Sequence, residues 1–257
     1  VLGDKKNEKI AIFKIYSNGV KTNRDNWVYN YSKSNLIENI KCTVDFYNSE
    51  LLRYSKSFSS AESGARPLVE EFISFNDEKI SWSRALREGV QRGRSIYYVD
   101  DALTIGVYRP FVKSNLYFHR SLINDVALIP KIFPGCGSKN ISITVTSKGA
   151  KSFSAFIVGL IPDLNIMEAG SQCFPLYFYD EAAQASKDDL FAEPIEGGLR
   201  RRDAITDAGL AHFASAYPSE AIGKEDLFYY VYGILHSQDY RERYADNLSK
   251  ELPRIPA

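Results

Sequence analysis

The chain is poor in the residues that usually announce a chemistry. Its 257 residues include only 3 cysteines, 3 histidines, 1 methionine and 2 tryptophans. Cys42, Cys136 and Cys173 are odd in number, far apart and never spaced C-x-x-C. That excludes a disulfide framework, argues against a zinc site and leads us to expect a reducing cytoplasm. His119, His212 and His236 are scattered, and none lies four residues from another or beside a Glu-containing metal motif, so no metal cluster is expected. No run reaches the roughly 18 to 20 apolar residues that cross a bilayer. The opening VLGDKKNEKI has no hydrophobic signal region, so neither a membrane partner nor export is expected. The phosphate loop G-x-x-x-x-G-K-[ST], a strand-borne G-x-G-x-x-G and the nucleophile elbow G-x-S-x-G are all missing as well.

What is present describes a globular chain with one large core or two modest ones. It is 44% apolar and 25% charged, with mean hydropathy −0.28. Aromatic residues make up 13%, with 17 Tyr and 15 Phe, which favours strands and broad packed surfaces. The net charge of zero conceals an asymmetry. Residues 1 to 155 hold 23 Lys and Arg against 15 Asp and Glu, a net of +8; residues 156 to 257 hold 9 against 17, a net of −8. Such a chain can turn a basic face to a polyanion, although two unrelated solvated faces would give the same count.

Local patterns predict the elements. The runs IAIFKIYS and VKT flank Asn18-Gly19 and predict a hairpin; residues 27 to 31 predict a strand. Leu36, Ile40, Val44, Tyr47, Leu51 and Tyr54 step by three or four and predict one amphipathic helix over about residues 33 to 55. Short β-branched or aromatic runs predict strands at 72–75, 96–99, 105–108, 116–118, 141–145, 153–158 and 174–179. A short helix is expected over 81–94, despite Gly89 and Gly93. An acidic loop follows over 180–198, and then three helices. Thr206 is the predicted N-cap of the first, the second (224–236) is expected to be buried, and the third (239–252) stops at Pro253.

On the 81–94 helix, Arg84, Arg87, Gln91 and Arg94 share one face beside an apolar face of Trp82, Leu86 and Val90. Arg can grip guanine O6 and N7 and Gln can pair with adenine, so this face is the candidate for reading DNA bases; an ordinary solvated face is the plainer alternative. Lys113 and Arg120, interleaved with aromatics, and Lys139, Lys148 and Lys151, flanking the 141–145 strand, are candidate phosphate contacts, as are Lys21 and Arg24. Arg109, before Pro110, reads as structural, and Arg200-Arg201-Arg202 as paired with nearby acids as readily as with phosphate. Pro162-Asp163 with Glu168 resembles the start of a nuclease signature, but Gly170 stands where that signature needs lysine. No catalytic residue is expected, and Cys136 has no adjacent base.

Several stretches together resemble the C-terminal specificity (target recognition) domain of type ISP restriction-modification enzymes. These are IFKIYSNGVKTNRDNWVYN (12–30), KISWSRALREGVQRG (79–93), YRPFVKSNLYFHRSLI (108–123), PKIFPG (130–135), IPDLNIMEAGSQCFPLYFY (161–179) and EDLFYYVYGILHSQDYRERYADNLSKELPRIP (225–256). The segment Gly19-Val20-Lys21-Thr22-Asn23 is also similar to the Gly-x-x-Thr-Gly turn of related adenine-N6 methyltransferases, with Asn23 where the second Gly is frequent; His119 stands where the family pattern suggests Asp.

The resemblance implies an α+β fold: a mixed β-sheet recognition domain with inserted helices, followed by a helical C-terminal subdomain. We expect residues 1–60 to join a preceding methyltransferase region, 61–180 to form the recognition core, and 181–257 to hold the acidic loop and the helices. It also implies a bacterial, cytoplasmic, non-catalytic chain that reads double-stranded DNA. Methyltransferase and helicase-like domains would lie in the same polypeptide, which would use S-adenosylmethionine, ATP and Mg; this chain itself would hold no cofactor or metal. Two other readings compete. One is a protein-docking module using the aromatics Phe228, Tyr229, Tyr230 and Tyr232; the other is a small metal-dependent hydrolase built on Asp163 and Glu168.

Overall fold

The computed structural model describes residues 1–4, 7, 11–57, 68–135, 139–181, 195–196 and 198–257. It is an α+β fold whose chain forms two compact units interleaved in sequence. Unit 1 comprises Val1–Val20, Val107–Val112 and Ala127–Ala257; unit 2 comprises Lys21–Gly106 and Lys113–Val126. The division expected at residues 60/61 and 180/181 coincides with neither boundary. Strand pairing, which joins distant segments, sets the units instead. Regrouping the charges by unit also removes the asymmetry: unit 2 holds 14 Lys and Arg against 13 Asp and Glu, and unit 1 holds 18 against 19.

Unit 2 is organised by the helix Lys33–Ser57, whose predicted stripe of Leu36, Ile40, Val44, Tyr47, Leu51 and Tyr54 is buried throughout. One helical turn, Asp25–Val28, precedes the short strand Tyr29–Asn30, so only the end of the predicted 27–31 strand forms. That strand pairs antiparallel with Val112–Tyr117, placing Tyr29 opposite Leu116. The expected strand at 96–99 does not form. Instead, the Asn48 side chain donates to the Ile96 carbonyl (2.7 Å) and accepts from its N–H (3.2 Å), occupying the groups a neighbouring strand would use. The expected strand at 72–75 is replaced by the helical turn Val69–Phe72 and leaves Phe75 exposed.

Unit 1 contains an antiparallel sheet in the order Ser17–Asn18, Ser171–Pro175, Ser142–Thr146, Ala155–Val158. A second antiparallel sheet is formed by Ile195–Glu196, Leu199–Asp203 and Tyr177–Glu181. The hairpin predicted around Asn18-Gly19 is absent. Ser17 instead pairs with Cys173, and Val20 bridges Asp163. Gly19 serves close approach here, since a Cβ would lie 2.5 Å from the Asp163 carbonyl oxygen.

The C-terminal helices share a core with the strands of unit 1. Helix Lys224–His236 packs Leu227, Phe228, Val231 and Leu235 into one core with Leu2, Phe13, Ile143, Val145 and Phe174, from strands and the N-terminal segment. Only one face of this helix is buried; Tyr229 is exposed. Thr206 caps Asp207–Ala216 as predicted, accepting from the Gly209 N–H. The expected 239–252 helix is two, Gln238–Arg243 and Ala245–Lys250, broken where Tyr244 leaves helical geometry (φ −113°, ψ 21°). Among the described residues, no helix is long and apolar enough to cross a membrane.

Candidate nucleic-acid interface

In unit 2 the basic helix spans Arg84–Gln91. Ser83 caps its start by accepting from the Leu86 N–H, and Leu86 and Val90 bury its inner face. Gly89 lets the helix meet the long helix, because a Cβ there would lie 2.5 Å from the Tyr47 hydroxyl. The end is a Schellman motif. Gly93, at φ +69°, donates to Val90 O, and the Arg94 N–H donates to Gly89 O. Both glycines that weaken the helix on propensity therefore have structural roles. Tyr47 braces this end by donating to the Arg94 carbonyl (2.8 Å), and burial pushes its phenol up to about 12. Trp82 lies before the cap rather than on the helix, and its ring packs 5.8 Å from that of Tyr47.

This geometry trims the predicted face. Arg84, Arg87 and Gln91 share the helix, whereas Arg94 lies beyond its last turn and is exposed. Two of the arginines are positioned by acids. Arg84 pairs with Glu88 at 2.8 Å, and Arg87 with Glu70 at 3.2 Å. Arg92 also reaches Glu88, at 3.6 Å. The Arg84 hydrogen bond holds the Glu88 carboxyl below the usual carboxylate range. Exposed pairs of this kind contribute little to stability.

Of the other unit 2 candidates, Lys21, Lys113 and Arg120 are exposed. Lys21 is held in place through its backbone, which exchanges two 2.9 Å hydrogen bonds with Asp125. Arg24, expected at a phosphate, is instead buried: it is only 7% exposed, and burial lowers its pKa. Its neighbour Asn23 has φ +56°, the left-handed conformation that glycine adopts most easily and asparagine tolerates. That accounts for the departure from Gly-x-x-Thr-Gly. His119 accepts from the Ser121 N–H through Nδ1 (3.3 Å), the i to i+2 bond of an Asx turn. The imidazole thus does what a carboxylate at this position would do, and partial burial lowers its pKa.

In unit 1, Lys148 and Lys151 are exposed on the turn between strands Ser142–Thr146 and Ala155–Val158, and Lys139 is exposed ahead of the first of these. The Arg200-Arg201-Arg202 run, left open between acids and phosphate, lies on the second sheet, where the fold groups it with Lys131 and Tyr177. Register places Arg200 opposite Asp180 and Arg201 opposite Tyr179. Asp180 pairs with both Lys131 (3.5 Å) and Arg202 (3.6 Å), while Arg201 stacks on Tyr177 at 4.4 Å. The Tyr179 hydroxyl donates to the Lys139 carbonyl, which brings that lysine's backbone to the same strands.

The competing sites dissolve. Asp163 is 1% exposed, pairs with Arg109 at 3.1 Å and caps the Asn165 N–H at 2.8 Å. Arg109 also covers the Tyr108 ring at 3.9 Å, so both residues are structural. Glu168 is exposed and accepts from the Lys151 N–H. Among the described residues, no group of three or more His, Cys, Asp or Glu could hold a metal. Cys136 lies outside the described residues. Of the aromatics offered for docking, Phe228 is fully buried, Tyr230 donates to the Pro256 carbonyl and Tyr232 packs on His236, which leaves Tyr229 alone of the four exposed.

An α+β chain that presents Arg84, Arg87 and Gln91 on a capped helix with a buried inner face has the make-up of a binding domain. A family model for the Type ISP C-terminal specificity domain matches residues 11–257, and the chain belongs to that family. Solved structures share its fold. The DrdV–DNA complex superposes with TM-score 0.79 at 32% identity, over 96% of this chain and 21% of that one. The ATP-dependent Type ISP restriction-modification enzyme LlaBIII bound to DNA gives 0.79 at 30%, over 99% and 15%. A nuclease-deletion mutant of the Type ISP enzyme LlaGI with a DNA substrate mimic gives 0.77 at 30%, over 99% and 21%. The chain thus spans between 15% and 21% of the length of these proteins. No curated protein matches it.

Proposed function

We propose that this chain is the sequence-reading module of a restriction-modification enzyme and binds double-stranded DNA. Family membership supports this reading, as does the DNA present in the complexes of DrdV, LlaBIII and LlaGI. The geometric observation that carries it is the Arg84–Gln91 helix, whose buried inner face and two capped ends fix Arg84, Arg87 and Gln91 on a rigid element. Rigid placement matters because a bidentate contact with a base edge tolerates little misalignment. Arg84, Arg87 and Gln91 read bases, with Arg94 beside them. Lys21, Lys113, Arg120, Lys139, Lys148 and Lys151 contact phosphates, joined by Lys131, Arg201 and Arg202 of unit 1.

The chain itself is non-catalytic in this reading. The remainder of the polypeptide supplies adenine-N6 methylation with S-adenosylmethionine and ATP- and Mg-dependent restriction, in a bacterial cytoplasm. The test is selection from a pool of randomised double-stranded DNA by the intact polypeptide at two salt concentrations. Enrichment of one short asymmetric sequence is expected, with affinity falling steeply with salt. Absence of binding at both concentrations would overturn the reading.

A further inference from the structure

Phe111 stands at the turn between strands Leu103–Arg109 and Val112–Tyr117, 91% exposed and at φ +63°. Both properties run against what folding favours. A bulky L-residue rarely occupies the left-handed region, and the position after proline in such a turn ordinarily takes glycine or asparagine. Burial gives little in return, because the ring's one ring-to-ring contact among the described residues is a tilted approach to Phe156 at 6.0 Å. The tip is nevertheless held rigidly. Pro110 fixes the backbone torsion before it, Arg109 is locked by Asp163 and the Tyr108 ring, and the Asp163 N–H donates to the Val107 carbonyl (3.0 Å). A strained, exposed aromatic on a rigid support points to a ligand that rewards it.

We infer that Phe111 is a wedge that stacks its ring against a base step of the bound duplex, a contact distinct from the hydrogen-bonding face of the Arg84–Gln91 helix. This inference rests on the DNA-binding reading above. Apolar side chains inserted between base steps unstack and bend a duplex, and an aromatic ring stacks on any base regardless of its hydrogen-bonding edge. Phe111 would therefore add affinity and select deformable steps without reading a base directly.

Phe111→Gly separates this role from folding, because glycine relieves the left-handed strain. The experiment uses the intact polypeptide and the duplex enriched from the randomised pool, with 2-aminopurine placed at each position in turn. The wild type should raise 2-aminopurine emission at one step apart from the adenine extruded for methylation. Phe111→Gly should abolish that rise and bind about 10- to 100-fold more weakly, with a melting temperature equal to or above that of the wild type. Phe111→Trp should retain both emission and affinity. If the wild type binds the duplex but Phe111→Gly matches it in affinity and emission, the wedge is refuted while the DNA-binding reading stands. A wild type that binds no duplex takes both down together.

Discussion

The two units place their cations in different ways, and the contrast separates two tasks. Unit 2 carries Arg84 and Arg87 on a helix with capped ends, a buried inner face and acidic partners at 2.8 and 3.2 Å. Unit 1 carries Lys148 and Lys151 on an exposed turn and Arg201 and Arg202 on a short sheet. A group that reads a base must be fixed in direction, whereas a group that meets a phosphate needs only charge and reach. The anchored helix suits the first task and the lysine turn the second. Nearly equal totals of the two signs in both units make this a matter of placement and not of net charge.

The largest expected effect tests whether unit 1 stands on its own core. Phe228 is fully buried against Phe13, and Phe228→Ala should cost about 4 kcal/mol in urea unfolding. A loss below about 1 kcal/mol would show that the helix Lys224–His236 is dispensable to that core. Next comes the reading face. Arg87→Ala should weaken binding to the enriched duplex by about 1 to 3 kcal/mol, with a much smaller effect on an unrelated duplex of equal length. Equal loss on both would move this helix to the phosphate-contacting side and erase the contrast between the units.

A smaller effect concerns how unit 2 is held. Burial of Glu50 favours its neutral form, but hydrogen bonds from Arg53 and the Ser74 N–H outweigh it and hold the carboxyl below its usual range. A depressed folded-state pKa gives stability that is complete above the unfolded value and lost as pH falls through the folded one. Glu50→Gln should therefore lower stability by about 1.5 kcal/mol at neutral pH, and by progressively less below about pH 4, when followed by urea unfolding. The smallest effect belongs to the lysine turn. Lys148→Ala should weaken all duplexes alike by under about 1 kcal/mol and reduce the slope of log affinity against log salt by about one. Discrimination between duplexes by this variant would contradict a phosphate role.

The sequence by itself determined what repeats locally. The stripe from Leu36 to Tyr54 steps by three and four, so one buried helical face was legible, and Thr206 was legible as a cap because its hydroxyl satisfies an N–H three residues on. The bounds of Lys224–His236 and the structural role of Arg109 beside its aromatic neighbours were legible for similar reasons. Tertiary structure decided what depends on distant partners. Asn18-Gly19 carries a hairpin signal, yet Asn18 pairs with Gln172 and the Gly19 N–H donates to the Ser171 carbonyl, about 150 residues away in sequence. The run at 96–99 has strand composition, but Asn48 already occupies the backbone groups of Ile96. Arg24 looks like any surface cation until the fold buries it, and Phe111 like any aromatic until the turn leaves it exposed. Periodicity and capping act over one or two turns of chain, whereas burial and strand pairing are fixed only when remote segments meet.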